Sequence, residues 1–332
     1  MNDARTTRRP HLHCLALLTA IALLACGPLD PPPATGGTTI EPTACGRGLV
    51  VVSSDYQSTN VSLIDNEAKV LSSSFLSSAS SDAALASALS GDVVLPTAAI
   101  TGDELVLIDR YPGAVISWVN VRTAKVRAQL NVTTGFASNP QDYLPIAANK
   151  AYVTRLGTNA QAGSEPFDGG DDILIIDPSR PEIVGRIPLS DVVPQAGFHP
   201  RASRMVAHGA RVFVLLGMQD LSFSGSLAAR LVTIDSQTDT IESVLQLDGM
   251  KGCAGLAIHA PSSSNGSLAA ARLAIACSGE FGGSSTPDTT TSGLVVLSTE
   301  DGQAKEISRM SAAALVDKPL GWWLDFVDDD RL

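Results

Sequence analysis

The sequence predicts an all-β protein, a β-propeller with about five four-stranded repeats over residues 45–318. Three observations predict this fold: a repeated strand-and-turn pattern, several short strands in every repeat, and no convincing amphipathic helix between repeats. The repeated pattern is an apolar strand that ends in a polar turn residue, which is in order Asp65, Asn120, Asp177, Asp235 and Ser298. Successive turn residues are 55, 57, 58 and 63 positions apart. Four-stranded units that recur along a chain are typical of propeller blades, because each sheet packs its faces against its neighbours.

Each repeat supplies up to four short strands. A second apolar strand precedes the strand with the polar turn, and a β-branched run follows it. Three repeats also begin with a further short segment, namely Asp142–Ala147, Arg201–Ala207 and Cys253–Ile258. The first repeat lacks such a segment. Either Met310–Val316 supplies it and closes the ring, or the ring is incomplete; a β-sandwich or a solenoid with similar spacing is the alternative fold.

Residues 1–25 have the pattern of a secretory signal. Three arginines within the first nine residues precede a mostly apolar run from Leu12 to Ala25, which is too short to span a bilayer comfortably as a helix. The run ends in Leu23-Leu24-Ala25-Cys26-Gly27. This ending resembles the lipobox of bacterial lipoproteins, where small or aliphatic residues precede a cysteine that is acylated. The resemblance implies lipid on Cys26 and removal of the residues before it; an ordinary signal peptide with an incidental thiol is the alternative.

Residues 26–44 form a predicted tether that is rich in Pro, Gly and Thr. Such a composition builds no core and is typical of an extended linker. A linker directly after a lipidated cysteine fits a domain held off a membrane. We therefore expect a cell-envelope location, lipid-anchored through Cys26. The outer membrane or the periplasmic face is favoured over the cytoplasm. Position 27 is glycine and not the aspartate that retains some lipoproteins at the inner membrane, which favours the outer membrane.

The charge balance excludes some classes of partner. The chain has 23 Lys and Arg residues against 34 Asp and Glu, a formal net charge of −11. This balance argues against binding nucleic acid or anionic lipid through a broad surface. Charged residues make up only 17% of the chain and aromatic residues 5%, while Ala, Ser, Thr, Val and Leu are abundant. This composition is typical of an exported β-rich protein.

Cys253 and Cys277 are predicted to form a disulfide. They flank two apolar runs joined by a loop that contains Asn265-Gly266. A hairpin centred on residue 265 places the two cysteines opposite each other, at a separation that suits a disulfide, and an oxidising compartment permits the bond. Cys45 then stays unpaired or competes for one of the two.

Two short segments carry a family resemblance. They are the strand Tyr152-Val153-Thr154 in one repeat and the turn Asp235-Ser236-Gln237-Thr238 in another. They resemble the YVTN-type β-propeller repeat of bacterial surface proteins, in which a Tyr-Val-Thr-Asn strand precedes a strand that ends in Asp and a turn with Thr. Here Arg155 replaces the asparagine, and the turn at Asn120 matches less closely. The resemblance spans about Leu49 to Ile307 and implies a propeller whose units are longer than the usual blade.

No catalytic constellation stands out, and we predict no catalytic residue and no cofactor. The histidines lack metal-ligand spacing, and the sequence has no Gly-x-Ser-x-Gly elbow, phosphate-binding loop or calcium-binding loop. The nearest approach to a metal site is a glycine loop with Asp168, Asp171 and Asp172. Two or three carboxylate oxygens are too few to chelate calcium alone, so a solvated loop is favoured.

The innermost strands of a propeller line its central channel, so polar residues at their starts are candidate ligand contacts. These residues are Gln141, Asp142, His199, Arg201 and Arg204. Salt bridges between blades would place the same residue types there. The C-terminal tail, residues 319–332, contains Trp322-Trp323, which we expect to pack onto the domain; contact with a partner or with the membrane interface is the alternative.

The sequence favours a non-enzymatic envelope lipoprotein whose propeller presents a binding surface to a protein, a glycan or a small molecule. A fold alone does not assign a function. The first alternative is a metal-dependent hydrolase or lactonase of the propeller type, which needs several blades to contribute ligands to one cation. The second is a structural spacer of the cell surface.

Overall fold

The computed structural model describes residues 48–81, 83–100, 102–260, 270–280, 288–327 and 331–332. The predicted signal peptide, Cys26, the tether and Cys45 lie outside these residues. Within the described part of the chain, no helix is long and apolar enough to cross a membrane.

Five antiparallel sheets follow one another along the chain. The first contains β1 (Leu49–Ser54), β2 (Thr59–Ile64) and β3 (Val70–Ser77). The second contains β4 (Val93–Val94), β5 (Glu104–Asp109), β6 (Val115–Asn120) and β7 (Lys125–Asn131). The third contains β8 (Pro140–Ala147), β9 (Lys150–Arg155), β10 (Asp172–Asp177) and β11 (Glu182–Pro188).

A small sheet separates the third from the fourth and pairs β12 (Phe198–His199) with a strand inserted in the fourth, β15 (Gln219–Asp220). The fourth sheet contains β13 (Ala202–His208), β14 (Arg211–Leu216), β16 (Arg230–Asp235) and β17 (Thr240–Gln246). The fifth contains β18 (Cys253–His259), β19 (Arg272–Ser278), β20 (Ser292–Ser298) and β21 (Lys305–Ser311). The only α-helix among the described residues is α1 (Ala312–Leu315).

Four of the five predicted polar turns are held by their own side chains. Asp65 follows the second strand of its three-stranded sheet, and the other three end the third strand of a four-stranded sheet. Oδ1 of Asp65 accepts the backbone N–H of Lys69 at 2.7 Å, and Oδ1 of Asn120 accepts that of Arg122 at 3.0 Å. Oδ1 of Asp177 and of Asp235 accepts the N–H two residues further on. A short polar side chain that bonds to its own backbone in this way favours a tight turn over continued strand.

The middle strands of the sheets are buried on both faces. β9 and β14 are each buried from their second residue to their last, whereas the outer strands β11 and β17 mostly alternate between exposed and half-buried residues. A strand between two neighbouring sheets must be apolar on both faces, and an edge strand on one only. The burial therefore agrees with sheets stacked face to face, one after another.

Four apolar clusters join consecutive sheets. Val61 and Leu107 represent the cluster between the first and second sheets, and the other three join the second to the third, the third to the fourth and the fourth to the fifth. Among the described residues no such cluster joins the fifth sheet to the first. The far face of the first sheet leaves Leu49 and Val51 exposed.

The prediction that Met310–Val316 supplies an inner strand for the first sheet is wrong. Met310 lies in β21, the outer strand of the fifth sheet, and α1 follows at once. Ser311 caps this short helix by accepting the N–H of Ala314, and alanines favour helix over strand. The tail then returns along β18, where a β-carbon at Gly255 would collide with the carbonyl oxygen of Trp322.

The predicted disulfide is confirmed. Cys253 and Cys277 are bonded, and the register of β18 and β19 pairs the two residues directly. The bond fixes the start of the first strand of the fifth sheet to the end of the second.

Candidate functional site

A cavity of about 660 Å³ lies where the five sheets meet. It touches each sheet in turn, through Val52, Val94, Gln141, Arg204 and Cys253. We call the residues that line it the cavity mouth. Most of them lie at or next to the N-terminal ends of β4, β8, β13 and β18, or at or next to the C-terminal ends of β1, β5, β9, β14 and β19. The volume falls within the ~300–1,000 Å³ that is usual for small-molecule sites.

Arg204, a predicted contact, lines the cavity mouth from β13. Its side chain is 8% exposed and makes two long hydrogen bonds, both from Nη1, to the carbonyl oxygens of Gln141 at 3.3 Å and Leu95 at 3.5 Å. The guanidinium lies 4.7 Å from the centre of the Trp323 ring, a cation–π distance. Burial lowers the pKa of Arg204, and the charge of Asp142 opposes this shift.

Asp142 does not line the cavity, although the sequence predicted that it would contact a ligand. It is fully buried, and its carboxylate accepts three backbone N–H groups: those of Thr97, in the loop after β4, and of Tyr143 in β8 at 2.9 Å on Oδ1, and that of Met205 in β13 at 2.8 Å on Oδ2. Burial raises the pKa of this carboxyl, while the charge of Arg204 and the N–H donors oppose the shift. Asp142 therefore joins neighbouring blades beneath Arg204.

Arg201 is a second predicted contact in the cavity mouth, and it is 2% exposed. It donates to neutral oxygens, including the carbonyls of Leu156 at 2.8 Å and Asp220 at 2.7 Å, and its Nε is buried without a partner. Its guanidinium lies 4.2 Å from the centre of the Phe223 ring. Burial lowers the pKa of Arg201, and the charges of Asp171 and Asp220 oppose this shift.

His199 lies outside the cavity lining, in β12. Its Nδ1 is 2.8 Å from Oδ2 of Asp171, whose other oxygen accepts the hydroxyl of Thr158 at 2.6 Å. The remaining carboxylates of the glycine loop have other partners: Asp172 pairs with Arg155, and Asp168 accepts the N–H of Gly163. In the described ranges, no group of three or more His, Cys, Asp or Glu residues could hold a metal ion.

Sequence reasoning missed Arg110 and Asp92, which join the second sheet to the cavity mouth. Nη2 of Arg110 is 2.5 Å from Oδ1 of Asp92, and Nη1 donates to Oε1 of Gln141 at 3.2 Å. Arg110 directly follows the strand Glu104–Asp109, and this position at a strand end could have predicted that it lies near the cavity. Gln141, which was predicted, is thereby held between Arg110 and its own neighbour Asn139.

Four aromatic side chains surround the cavity mouth, and all four are substantially exposed. They are Tyr56, Phe223, Trp322 and Trp323, with Trp323 76% exposed. Exposed aromatic rings grouped around one opening are typical of binding sites. The C-terminal tail thus places Trp322 and Trp323 in the cavity lining, where the Trp323 ring lies against the guanidinium of Arg204.

The cavity mouth has a charge opposite to that of the whole chain. Among the described residues that line it, three are arginines and one is an aspartate, and that aspartate is paired with Arg110. The chain as a whole carries a formal charge of −11. A cleft of one sign with apolar walls concentrates ligands of the opposite sign.

The sheets and their shared cavity settle the fold. The chain is a β-propeller protein. Neither a family model nor a curated protein matches the sequence. Solved structures with a similar fold include the hydrazine synthase of Kuenenia stuttgartiensis (14% identity, 83% of this chain and 68% of the other, TM-score 0.47). The WD40 domain of Neurospora crassa Pan2 is similar at 10% identity (90% and 72%, TM-score 0.47), and BamB from Moraxella catarrhalis at 11% (85% and 74%, TM-score 0.37). At these identities the similarity concerns the fold alone.

Proposed function

We propose that this protein is a lipid-anchored envelope lipoprotein whose propeller is a non-catalytic platform that binds a ligand in the cavity mouth. One observation carries the proposal: two buried arginines, Arg201 and Arg204, line the same cavity beneath exposed aromatic rings. Guanidinium groups held in place beneath rings are suited to orienting a ligand, and a few fixed polar groups within apolar walls are usual in binding sites.

The lipid anchor is tested by the intact mass and metal content of the protein extracted from its native membrane. We expect a chain that begins at Cys26 and carries the mass of two or three acyl chains, and we expect Cys26→Ala to abolish the added mass. A single acyl chain anchors a protein weakly, whereas two or more anchor it stably. An unmodified chain that starts elsewhere would contradict the anchor. One equivalent of calcium or zinc would instead favour the metal-dependent hydrolase.

A further inference from the structure

We infer that the ligand is an acidic saccharide, whose carboxylate binds the guanidinium of Arg204 and whose ring packs on Trp323. This inference rests on the proposed function and names the ligand class for the same site. It has two parts, the negative charge and the sugar ring, and separate observations support each part.

The negative charge is inferred from how the two buried arginines are paired. Arg201 is 2% exposed, yet its described hydrogen bonds all go to neutral oxygens and its Nε has no partner. Arg204 donates only from Nη1, and both acceptors are backbone carbonyls at 3.3 Å or more. A buried guanidinium is stabilised by an anion that accepts two of its N–H groups side by side.

Among the described residues, no carboxylate hydrogen-bonds to Arg204. Both oxygens of Asp142 accept backbone N–H groups, so this residue balances the charge of Arg204 from below without a hydrogen bond to it. Asp92, the carboxylate among the described lining residues, is 2.5 Å from Arg110. Nε and Nη2 of Arg204 make no described hydrogen bond, and we expect an oxyanion that enters from solvent to bind these two groups.

The sugar ring is inferred from what surrounds the arginines. A pyranose ring has an apolar C–H face and a rim of hydroxyl groups, and it needs a flat apolar surface together with groups that both donate and accept. The exposed rings of Trp322 and Trp323 provide the surface, and the side-chain amides of Asn139 and Gln219 provide donors and acceptors. A peptide ligand would more commonly use a free sheet edge or deep apolar pockets.

The test measures binding of trigalacturonate and of the neutral galactose trimer by calorimetry and by tryptophan fluorescence. The fluorescence is informative because Trp322 and Trp323 line the site, whereas Trp118 is fully buried. We expect the acidic trimer to bind more tightly than the neutral one. Arg204→Gln should weaken the acidic trimer about ten-fold or more, since it removes charge-assisted hydrogen bonds.

Two further variants test whether binding depends on residues of the cavity mouth and not on charge elsewhere on the surface. Trp323→Ala removes a side chain that is 76% exposed, so it should fold normally and weaken both trimers. Arg180→Gln removes the same charge as Arg204→Gln at the far end of the third sheet, where the side chain is 69% exposed, and should leave binding unchanged.

Each remaining outcome overturns part of the inference. Equal binding of the acidic and neutral trimers overturns the negative charge. Binding of inorganic phosphate or of an acidic peptide, with no binding of the acidic trimer at millimolar concentration, overturns the saccharide. If the acidic trimer fails while another ligand binds in a manner that depends on Arg204 and Trp323, the proposed function stands and only the ligand class is wrong. If no ligand depends on these two residues, the proposed function fails as well.

Discussion

Replacement of Arg155 by alanine is expected to lower the free energy of unfolding by about 3–5 kcal/mol, because it leaves a buried carboxylate without its partner. Arg155 and Asp172 have fully buried side chains, and Nε and Nη2 of the arginine donate to the carboxylate at 2.6–2.8 Å. The same guanidinium also donates to the carbonyl of Phe167, in the loop before β10, at 2.9 Å and to the hydroxyl of Thr134, in the loop before β8, at 2.6 Å. Arg155 is the residue that departs from the YVTN pattern, and it joins two strand ends.

Urea unfolding of matched variants measures this effect. Arg186→Ala is the control, since Arg186 is 3.7 Å from the same carboxylate but 45% exposed, and its loss should lower stability by less than about 1 kcal/mol. The double variant Arg155→Met with Asp172→Leu should recover much of the stability, because an apolar pair needs no counter-charge. A loss below about 1 kcal/mol for Arg155→Ala would show that the pair is dispensable.

Asp142→Asn is expected to destabilise the protein by about 3 kcal/mol, because an amide cannot accept all three backbone N–H groups and leaves the buried Arg204 uncompensated. The three N–H groups belong to Thr97 in the loop after β4, Tyr143 in β8 and Met205 in β13, so the effect should extend beyond the third sheet to this loop and to the fourth sheet. Hydrogen exchange of these three amides measures it directly. Faster exchange is expected at Thr97 and Met205 as well as at Tyr143.

An exposed carboxylate provides the control for Asp142→Asn. Asp191 lies on the surface after the third sheet, and Asp191→Asn removes the same charge without orphaning a buried donor. It should leave the free energy of unfolding within about 0.5 kcal/mol of the parent. If both variants unfold alike, Asp142 does not hold the blades together as we describe.

Much of the fold could be predicted from the sequence because the repeat signal is local. Asp65, Asn120, Asp177 and Asp235 form turns through bonds to their own backbones, and these bonds need no knowledge of the rest of the chain. The disulfide followed from the symmetry of one hairpin. The C-terminal end was mispredicted because an apolar run such as Met310–Val316 fits either a strand or a short capped helix, and packing decides between them.

The site could be predicted only in part. Gln141, Arg201 and Arg204 were found because strand starts in a propeller face the channel, and all three line the cavity. Asp142 lies beside Gln141 in β8 and points elsewhere, since adjacent residues of a strand face opposite sides. His199 lies in β12 of the small two-stranded sheet and not at the start of an inner strand. Contacts between sheets are set by packing rather than by spacing in the sequence. For this reason the sequence did not indicate that Tyr56 and Phe223 line the cavity mouth, whereas Trp322-Trp323 stood out as a pair.

The platform at the cavity mouth is tested most directly by photo-crosslinking in the native envelope. A photoreactive amino acid replaces Tyr56, an 83% exposed residue of the cavity mouth, in the full-length chain, and a second sample carries it at Arg180, at the opposite end of the third sheet. We expect one defined adduct from position 56, none from position 180, and loss of the adduct when Arg204→Gln is added. Equal labelling at both positions, or an adduct at 56 that does not depend on Arg204, would contradict a ligand site at the cavity mouth.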